Sequence, residues 1–280
     1  MSAPIVEAPT TVLITGASSG IGAGLAREFV GRGARVALVA RRIEQLETLA
    51  AELRTAGGQA SAHRGDVTVD GDIARVVAEL GAQGIVPDIV VANAGFGVAG
   101  NVQMLTLADY QRQFDTNVYG VLRTLYETID ALRGKRGRFV VMGSVAGYIS
   151  ISGSSAYAMS KFAVRALAEA LHGDLRRVGV GVTLVSPGYV DSDIRRTDNR
   201  GEVHPHAKDP IPDWLRMKTD VAARIMVNGI LRGKKEVVVT FHAKVFMFFA
   251  PHFPRLLRHV LSRGAVPARP EPRRRETGQT

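Results

Sequence analysis

The chain has 280 residues, 46% of them apolar, no cysteine, and a formal net charge of +10. That apolar content suffices for one large core, and the missing cysteine excludes disulfides, thiolate catalysis and cysteine-bound metal. Half of the charge lies at one end: beyond Pro251, seven arginines against Glu271 and Glu276 give a net +5. The remainder is spread over mixed-charge helical faces and is not gathered into a nucleic-acid footprint.

Residues 1–10 form an N-terminal extension without a basic flank and a long apolar core, so the expected location is cytoplasmic. From there, short β-rich runs alternate with longer stretches of helical period. Strands are predicted at Thr11–Thr15, Arg35–Val39, Gln59–His63 (the weakest), Asp88–Ala92, Arg138–Met142, Gly181–Val185 and Glu236–Val239. Helices are predicted at Ile21–Arg32, Arg42–Ala56, Val69–Leu80, Leu107–Leu132, Ala156–Val178 and Thr219–Leu231. This alternation predicts an α/β fold: one Rossmann-like domain over residues 11–240, a doubly wound parallel sheet of about seven strands with helices on both faces. A proline-rich excursion, residues 189–217, interrupts it after the sixth strand and is expected to be a functional loop. Residues 241–262 are aromatic and basic, with five of the ten phenylalanines, and residues 263–280 have the composition of a disordered tail.

Between the first strand and the first helix stands Thr15-Gly16-Ala17-Ser18-Ser19-Gly20-Ile21-Gly22. Gly16 permits the sharp exit from the strand, Gly20 lets backbone approach a pyrophosphate, and Gly22 lets the helix pack on the sheet. The free N–H groups of the helix start then face an anion, so Gly16, Ser18, Ser19, Gly20, Ile21 and Gly22 are candidate dinucleotide contacts. A second glycine run, Gly95-Phe96-Gly97-Val98-Ala99-Gly100, fits the same pattern. No helix starts beneath its third glycine, however, and it reads as a flexible loop over the cofactor. At the end of the second strand a carboxylate would favour NAD; this chain has Ala40 followed by Arg41 and Arg42. The absent acid and the guanidinium of Arg41, ill placed at a helix start without an anion, favour NADP over NAD.

Tyr157 and Lys161 are four residues apart near the start of a helix, which puts both on one face. An adjacent ammonium favours phenolate, and a phenol tuned in this way can give a proton to a carbonyl oxygen or take one from an alcohol. No metal site is expected: His204 and His206 flank Pro205 without completing a ligand cluster.

The ordered set of motifs from Thr11 to Ser192 resembles the short-chain dehydrogenase/reductase family. The resemblance rests on Thr15 to Gly22, Asp66-Val67 after the third strand, Asn93-Ala94-Gly95 after the fourth, Asn117, Ser144, Tyr157, Lys161, and Pro187-Gly188 after the sixth. It implies an NADP-dependent oxidoreductase acting on a carbonyl/alcohol pair, with Tyr157 as general acid/base and Lys161 lowering its pKa and binding the nicotinamide ribose. Ser144 would bond the substrate oxygen, and Asn117 would hold a water linking Lys161 to solvent. Asp66, Val67, Asn93, Ala94, Gly95, Pro187, Gly188, Val190 and Ser192 join the glycine turn, Arg41, Tyr157 and Lys161 as cofactor contacts. Two positions depart from the family pattern: Ala92 stands where asparagine is common, and Ser192 where threonine is usual.

The substrate is expected to be a hydrophobic, lipid- or steroid-like ketone, aldehyde or alcohol, met by Ser144, Tyr157, Tyr189 and Trp214. Val145, Tyr148, Ile149 and Ile151 offer further apolar walls; Arg195 and Arg196 offer a contrary, anion-binding option. A homodimer or homotetramer is implied by the resemblance. Residues 241–261 either pack on their own domain, dock on a partner subunit or lie in a membrane interface, being too short an apolar run to span one. The alternative from another functional class is a non-catalytic dinucleotide-binding sensor or scaffold, which the presence of both Tyr157 and Lys161 disfavours. Nucleic acid is not an expected partner, because no base-stacking aromatics are interleaved with arginines after Ser262.

Overall fold

The computed structural model describes residues 10–255 apart from 205, 208 and 254. Seven parallel strands are present: β1 (Thr11–Thr15), β2 (Arg35–Ala40), β3 (Gln59–Arg64), β4 (Ile89–Ala92), β5 (Arg138–Met142), β6 (Gly181–Ser186) and β7 (Glu236–Val238), side by side in the order β3-β2-β1-β4-β5-β6-β7. The helices between them are α1 (Gly20–Val30), α2 (Ile43–Thr55), α3 (Asp72–Ala82), α4 (Leu107–Phe114), α5 (Gly120–Lys135), α6 (Ser155–Arg176) and α7 (Thr219–Leu231), with α8 (Phe241–His252) after the last strand. The expected doubly wound sheet is therefore the observed one.

Strand side chains alternate between two cores. Val12 and Ile14 of β1 pack with Leu25 and Phe29 of α1, Leu46 of α2 and Met226 of α7. Leu13, between them, points the other way, toward Ile73 of α3, Leu125 of α5 and Val164 of α6. Burial on both faces explains why β1, β4 and β5 read as unbroken apolar runs, whereas β3, at one edge, is mostly polar. The strand order reverses between β1 and β4, and their carboxyl ends open a crevice there.

Two stretches differ from the sequence-based expectation. The helix predicted over Leu107–Leu132 is interrupted by a π-helical turn, Asp115–Tyr119, that carries Asn117. Single π turns of this kind sit inside otherwise α-helical stretches, and no residue type marks this one. The second difference is α8, capped by the Thr240 hydroxyl, which accepts from the Ala243 N–H. No described helix is long and apolar enough to cross a membrane. Residues 1–9 and 256–280, on which the N-terminal and tail expectations fall, lie outside the described residues.

Candidate active site

One cavity of about 1320 Å³ runs along the carboxyl ends of the strands. It is lined at one end by the glycine turn and Arg41, and at the other by Ser144, Tyr157, Lys161 and Tyr189.

The glycine turn is shaped by backbone contact. Gly16 and Gly20 have φ of +66° and +53°, left-handed values that disfavour side chains. A Cβ on Gly22 would lie 2.3 Å from the Gly16 carbonyl oxygen. Asn93 ties this turn to the end of β4: its Nδ2 donates to the carbonyls of Thr15 (3.0 Å) and Gly16 (3.1 Å). The Thr15 hydroxyl in turn accepts from the backbone N–H groups of Asn93 and Ala94. Ala92, the departure from the family pattern, is a buried β4 residue.

Ser19, the N-cap of α1, makes no side-chain cap bond, so the first N–H groups of that helix are left for a ligand. Arg42 was not singled out as a contact in the sequence, yet its guanidinium donates to Ser18 Oγ at 2.9 Å and to Ser19 Oγ at 3.2 Å. Arg41 lies alongside at the cavity rim. Asp66 lines the same end, its Oδ1 accepting from the N–H and hydroxyl of Thr68. Val67, Ala94, Gly95, Pro187, Gly188, Val190 and Ser192 also line the cavity.

At the other end, Lys161 is 6% exposed and donates to the Met142 carbonyl at 2.8 Å. Burial pushes its amine down to about 8. Its Nζ is 5.7 Å from the centre of the Tyr157 ring, as the four-residue spacing on α6 requires. Ser144, two residues beyond the end of β5, caps a short 3-10 turn, Val145–Gly147. Its Oγ accepts from the Ala146 N–H at 3.1 Å, which leaves the hydroxyl proton to point elsewhere.

Asn117 is brought close by the π turn but lies outside the cavity lining. Its amide accepts from the Phe96 N–H and donates to the Phe96 carbonyl and to Ser160 Oγ, all at 3.0 to 3.1 Å. The side chain thus fastens the second glycine run to α6. Gln113, wholly buried, adds to this: its Oε1 accepts from Val98 N–H at 2.6 Å and its Nε2 donates to the Phe96 carbonyl at 2.9 Å. The amide of Asn199 forms a reciprocal pair with the backbone of Ala99. The run expected to be a flexible loop is held by three amide side chains, of which only Asn117 belongs to a motif; Gln113 and Asn199 do not.

Two substrate expectations are corrected. Trp214 sits on a 3-10 turn, Asp213–Leu215, with 83% of its surface exposed, and does not line the cavity. Pro212, fixed in extended conformation, starts that turn on the outside of the loop. Arg195 lines the cavity, but its charge is committed: Nε donates to both oxygens of Asp209, at 2.8 and 2.9 Å. Arg216 also pairs with Asp209, which closes the loop on itself. Arg196 pairs with Asp193. His204 bonds Asp198 at 3.0 Å, and among the described residues no three His, Cys, Asp or Glu side chains gather as metal ligands.

The sequence reading also missed His242 and Phe246. Both come from α8 and face the cavity beside Tyr189. Nothing in the run after Thr240 marks a return to the site, because the return depends on where β7 ends in the sheet.

A family model described as short chain dehydrogenase matches residues 10–203. A protein from Myxococcus xanthus named an uncharacterized oxidoreductase is 38% identical over 229 residues, covering 81% of this chain and 86% of its own. The 11-beta-hydroxysteroid dehydrogenase-like 4A protein of Arabidopsis thaliana is 33% identical over 252 residues, 88% of this chain and 81% of its own. A short-chain dehydrogenase from Sphingobium yanoikuyae in complex with NADPH superposes with a TM-score of 0.74 at 27% identity, covering 92% of this chain and 98% of that one. A Burkholderia phymatum family member in complex with NAD gives a TM-score of 0.78 at 23% identity over 94% and 98% of the two chains, a likeness of fold.

Proposed function

The chain belongs to the short-chain dehydrogenase family, and on that premise we propose that it interconverts a hydrophobic ketone or aldehyde and its alcohol with NADP(H). The observation that supports this most is continuity: one cavity joins the glycine turn to Ser144, Tyr157 and Lys161. The residues fit a dinucleotide: the uncapped start of α1, the Ser18 and Ser19 hydroxyls, Arg41 and Arg42 form a cationic, donor-rich end suited to phosphate. Asp66, Asn93 to Gly95, and Pro187 to Ser192 would hold the rest of it.

When bound, the dinucleotide supplies the hydride in reduction and takes it back in oxidation. The protein does the proton chemistry. In reduction, the Ser144 hydroxyl donates a hydrogen bond to the substrate oxygen, and Tyr157 passes its phenolic proton to that oxygen as negative charge builds on it. In oxidation the Tyr157 phenolate accepts the proton. The Lys161 ammonium favours that phenolate by its positive charge. Because its pKa is pushed down only to about 8, Lys161 keeps this charge at neutral pH.

Preference for NADP rests on Ala40, Arg41 and Arg42 at the end of β2, where no carboxylate is present to reject a phosphate. The apolar walls at Val98, Ile149, Ile151, Tyr189, Ile211 and Phe246 suit a substrate with a hydrocarbon body. NADPH and NADH oxidation by the purified protein, with straight-chain, cyclic and steroid ketones, tests the reading. Turnover with NADPH that depends on Tyr157 supports it, preference for NADH removes the role of the arginines, and turnover independent of Tyr157 removes the mechanism.

Self-association into a homodimer or homotetramer belongs to the same proposal. It is supported by Tyr126 on α5 and Met159 and Phe162 on α6, apolar side chains left 41–70% exposed. Light scattering on the purified chain tests it, and a monomer at micromolar concentration would count against it.

A further inference from the structure

Two parts of the chain, the turn after β6 and the start of α8, meet at one ring nitrogen. His242 Nε2 lies 3.0 Å from the backbone N–H of Tyr189 and 3.1 Å from the hydroxyl of Thr240, the N-cap of α8. The peptide N–H can only donate, so Nε2 accepts, the ring is neutral, and its proton is on Nδ1. Burial acts in the same direction, lowering the pKa of His242 below the ordinary histidine value. The imidazole also stacks on the Tyr189 ring, centroid to centroid 5.2 Å at 29°. The fit extends to Gly188, where a Cβ would stand 2.3 Å from both His242 Nε2 and Thr240 Oγ1.

What this nitrogen holds is the base of the substrate loop. The Tyr189 carbonyl accepts from the N–H of Met217 at 2.9 Å, and Asp191 N–H donates back to Met217, so both ends of the loop are joined at the residue that His242 grips. One helical turn further on, Phe246 shares the face of α8 that carries His242 and lines the same cavity.

We infer that His242 is a positioning residue: by latching α8 to the Tyr189 peptide it sets Phe246 and Tyr189 as the far wall of the substrate site, and thereby the length of hydrocarbon chain accepted. This rests on the proposed carbonyl/alcohol reaction for its physiological meaning. The latch geometry and the cavity stand without it.

The test uses the full chain with 2-alkanones from 2-butanone to 2-dodecanone. Chain-length selection is read in two ways: as the thermal shift each ketone produces with NADP+ present, which needs no turnover, and as KM and kcat with NADPH. His242→Ala is expected to raise KM for the preferred alkanone about tenfold with kcat within about threefold, and to flatten the chain-length profile. His242→Gln, whose amide oxygen can accept from Tyr189 N–H, is expected to restore most of that selectivity. Phe246→Ala is expected to move the optimum to longer ketones in both readouts, and its NADPH affinity checks that the variant is folded. Unchanged profiles in His242→Ala and Phe246→Ala would overturn the inference, as would a loss confined to kcat or no binding of any alkanone. Retained NADPH oxidation by Tyr157→Phe would overturn the reaction instead, leaving the thermal-shift profile to decide the latch.

Discussion

The ammonium of Lys161 donates to the carbonyl of Met142 across 2.8 Å, and the residue is 6% exposed, so a charge needed for chemistry is held largely out of water at the cavity wall. Its folded pKa, about 8, lies below the ordinary value of about 10.4. Between those values the unfolded chain binds more protons, so this group makes stability rise with pH across the window. Below it both states are charged and the full penalty of burial applies; above it both are neutral and the penalty is gone. Lys161→Met removes the group. Thermal melts without cofactor, at pH about 7 and about 10, should show the stability difference moving in favour of the wild type as pH rises. The full span is on the order of 2–3 kcal/mol. A difference that stays constant with pH would refute the assignment.

Tyr157→Phe deletes one oxygen and keeps the ring beside Lys161. Turnover should fall by about 10²–10⁴, the usual range for a lost general acid/base, while the Kd for NADPH stays within about threefold. Stopped-flow turnover and fluorescence titration separate the two. A parallel loss of cofactor affinity would make Tyr157 a binding residue first.

The sheet and the two ends of the cavity were legible because each was encoded locally. β1 and β5 are apolar runs of strand length, the first glycine turn stands directly between strand and helix, and Tyr157 and Lys161 share one helix face. What was not legible depends on partners distant in the chain. Asn199 bonds Ala99, a hundred residues away. His242 meets Tyr189 only because β7 pairs with β6 and sends α8 back across the site. Arg195 looked available for an anion because Asp209, its partner across the loop, is not in register with it along any periodic element. Trp214 misled for a related reason: an aromatic in a substrate loop suggests a wall, but side-chain direction in an irregular segment has no period to reveal it.

Gly22→Ala places a methyl 2.3 Å from the Gly16 oxygen and 3.0 Å from Ala17 Cα. Backbone cannot rotate aside, so the turn itself must shift, and NADPH affinity should drop at least about tenfold. Gly173→Ala, in α6 where a Cβ would meet nothing within 4 Å, is the matched control. It should raise stability by up to about 1 kcal/mol, the helical preference for alanine, without changing affinity. Equal affinities for both variants would disprove close packing at Gly22.

Replacing Arg41 and Arg42 together by serine should raise KM for NADPH by about tenfold to a hundredfold and leave NADH nearly unaffected, since only the former carries the extra phosphate. The wild-type preference should also weaken with added salt, because Arg41 is exposed at the rim. If both cofactors lose affinity equally, the pair serves the Ser18 and Ser19 turn instead, through the bonds made by Arg42.

Gln113→Leu conserves approximate size and burial but strands two backbone groups, the Val98 N–H and the Phe96 carbonyl. The carbonyl retains a second donor in Asn117, so its loss is partial; the N–H of Val98 bears the larger cost. At about 1–3 kcal/mol for a buried group left unsatisfied, urea denaturation should show a destabilisation of about 2–3 kcal/mol. Gln111→Leu, two residues away on the exposed side of α4, should fall within about 0.5 kcal/mol of the wild type. Because Phe96 and Val98 line the cavity, the Gln113 variant should also raise KM for a bulky ketone more than it lowers kcat. A variant as stable as the wild type would mean that the loop finds other partners, and that the second glycine run is not held by Gln113.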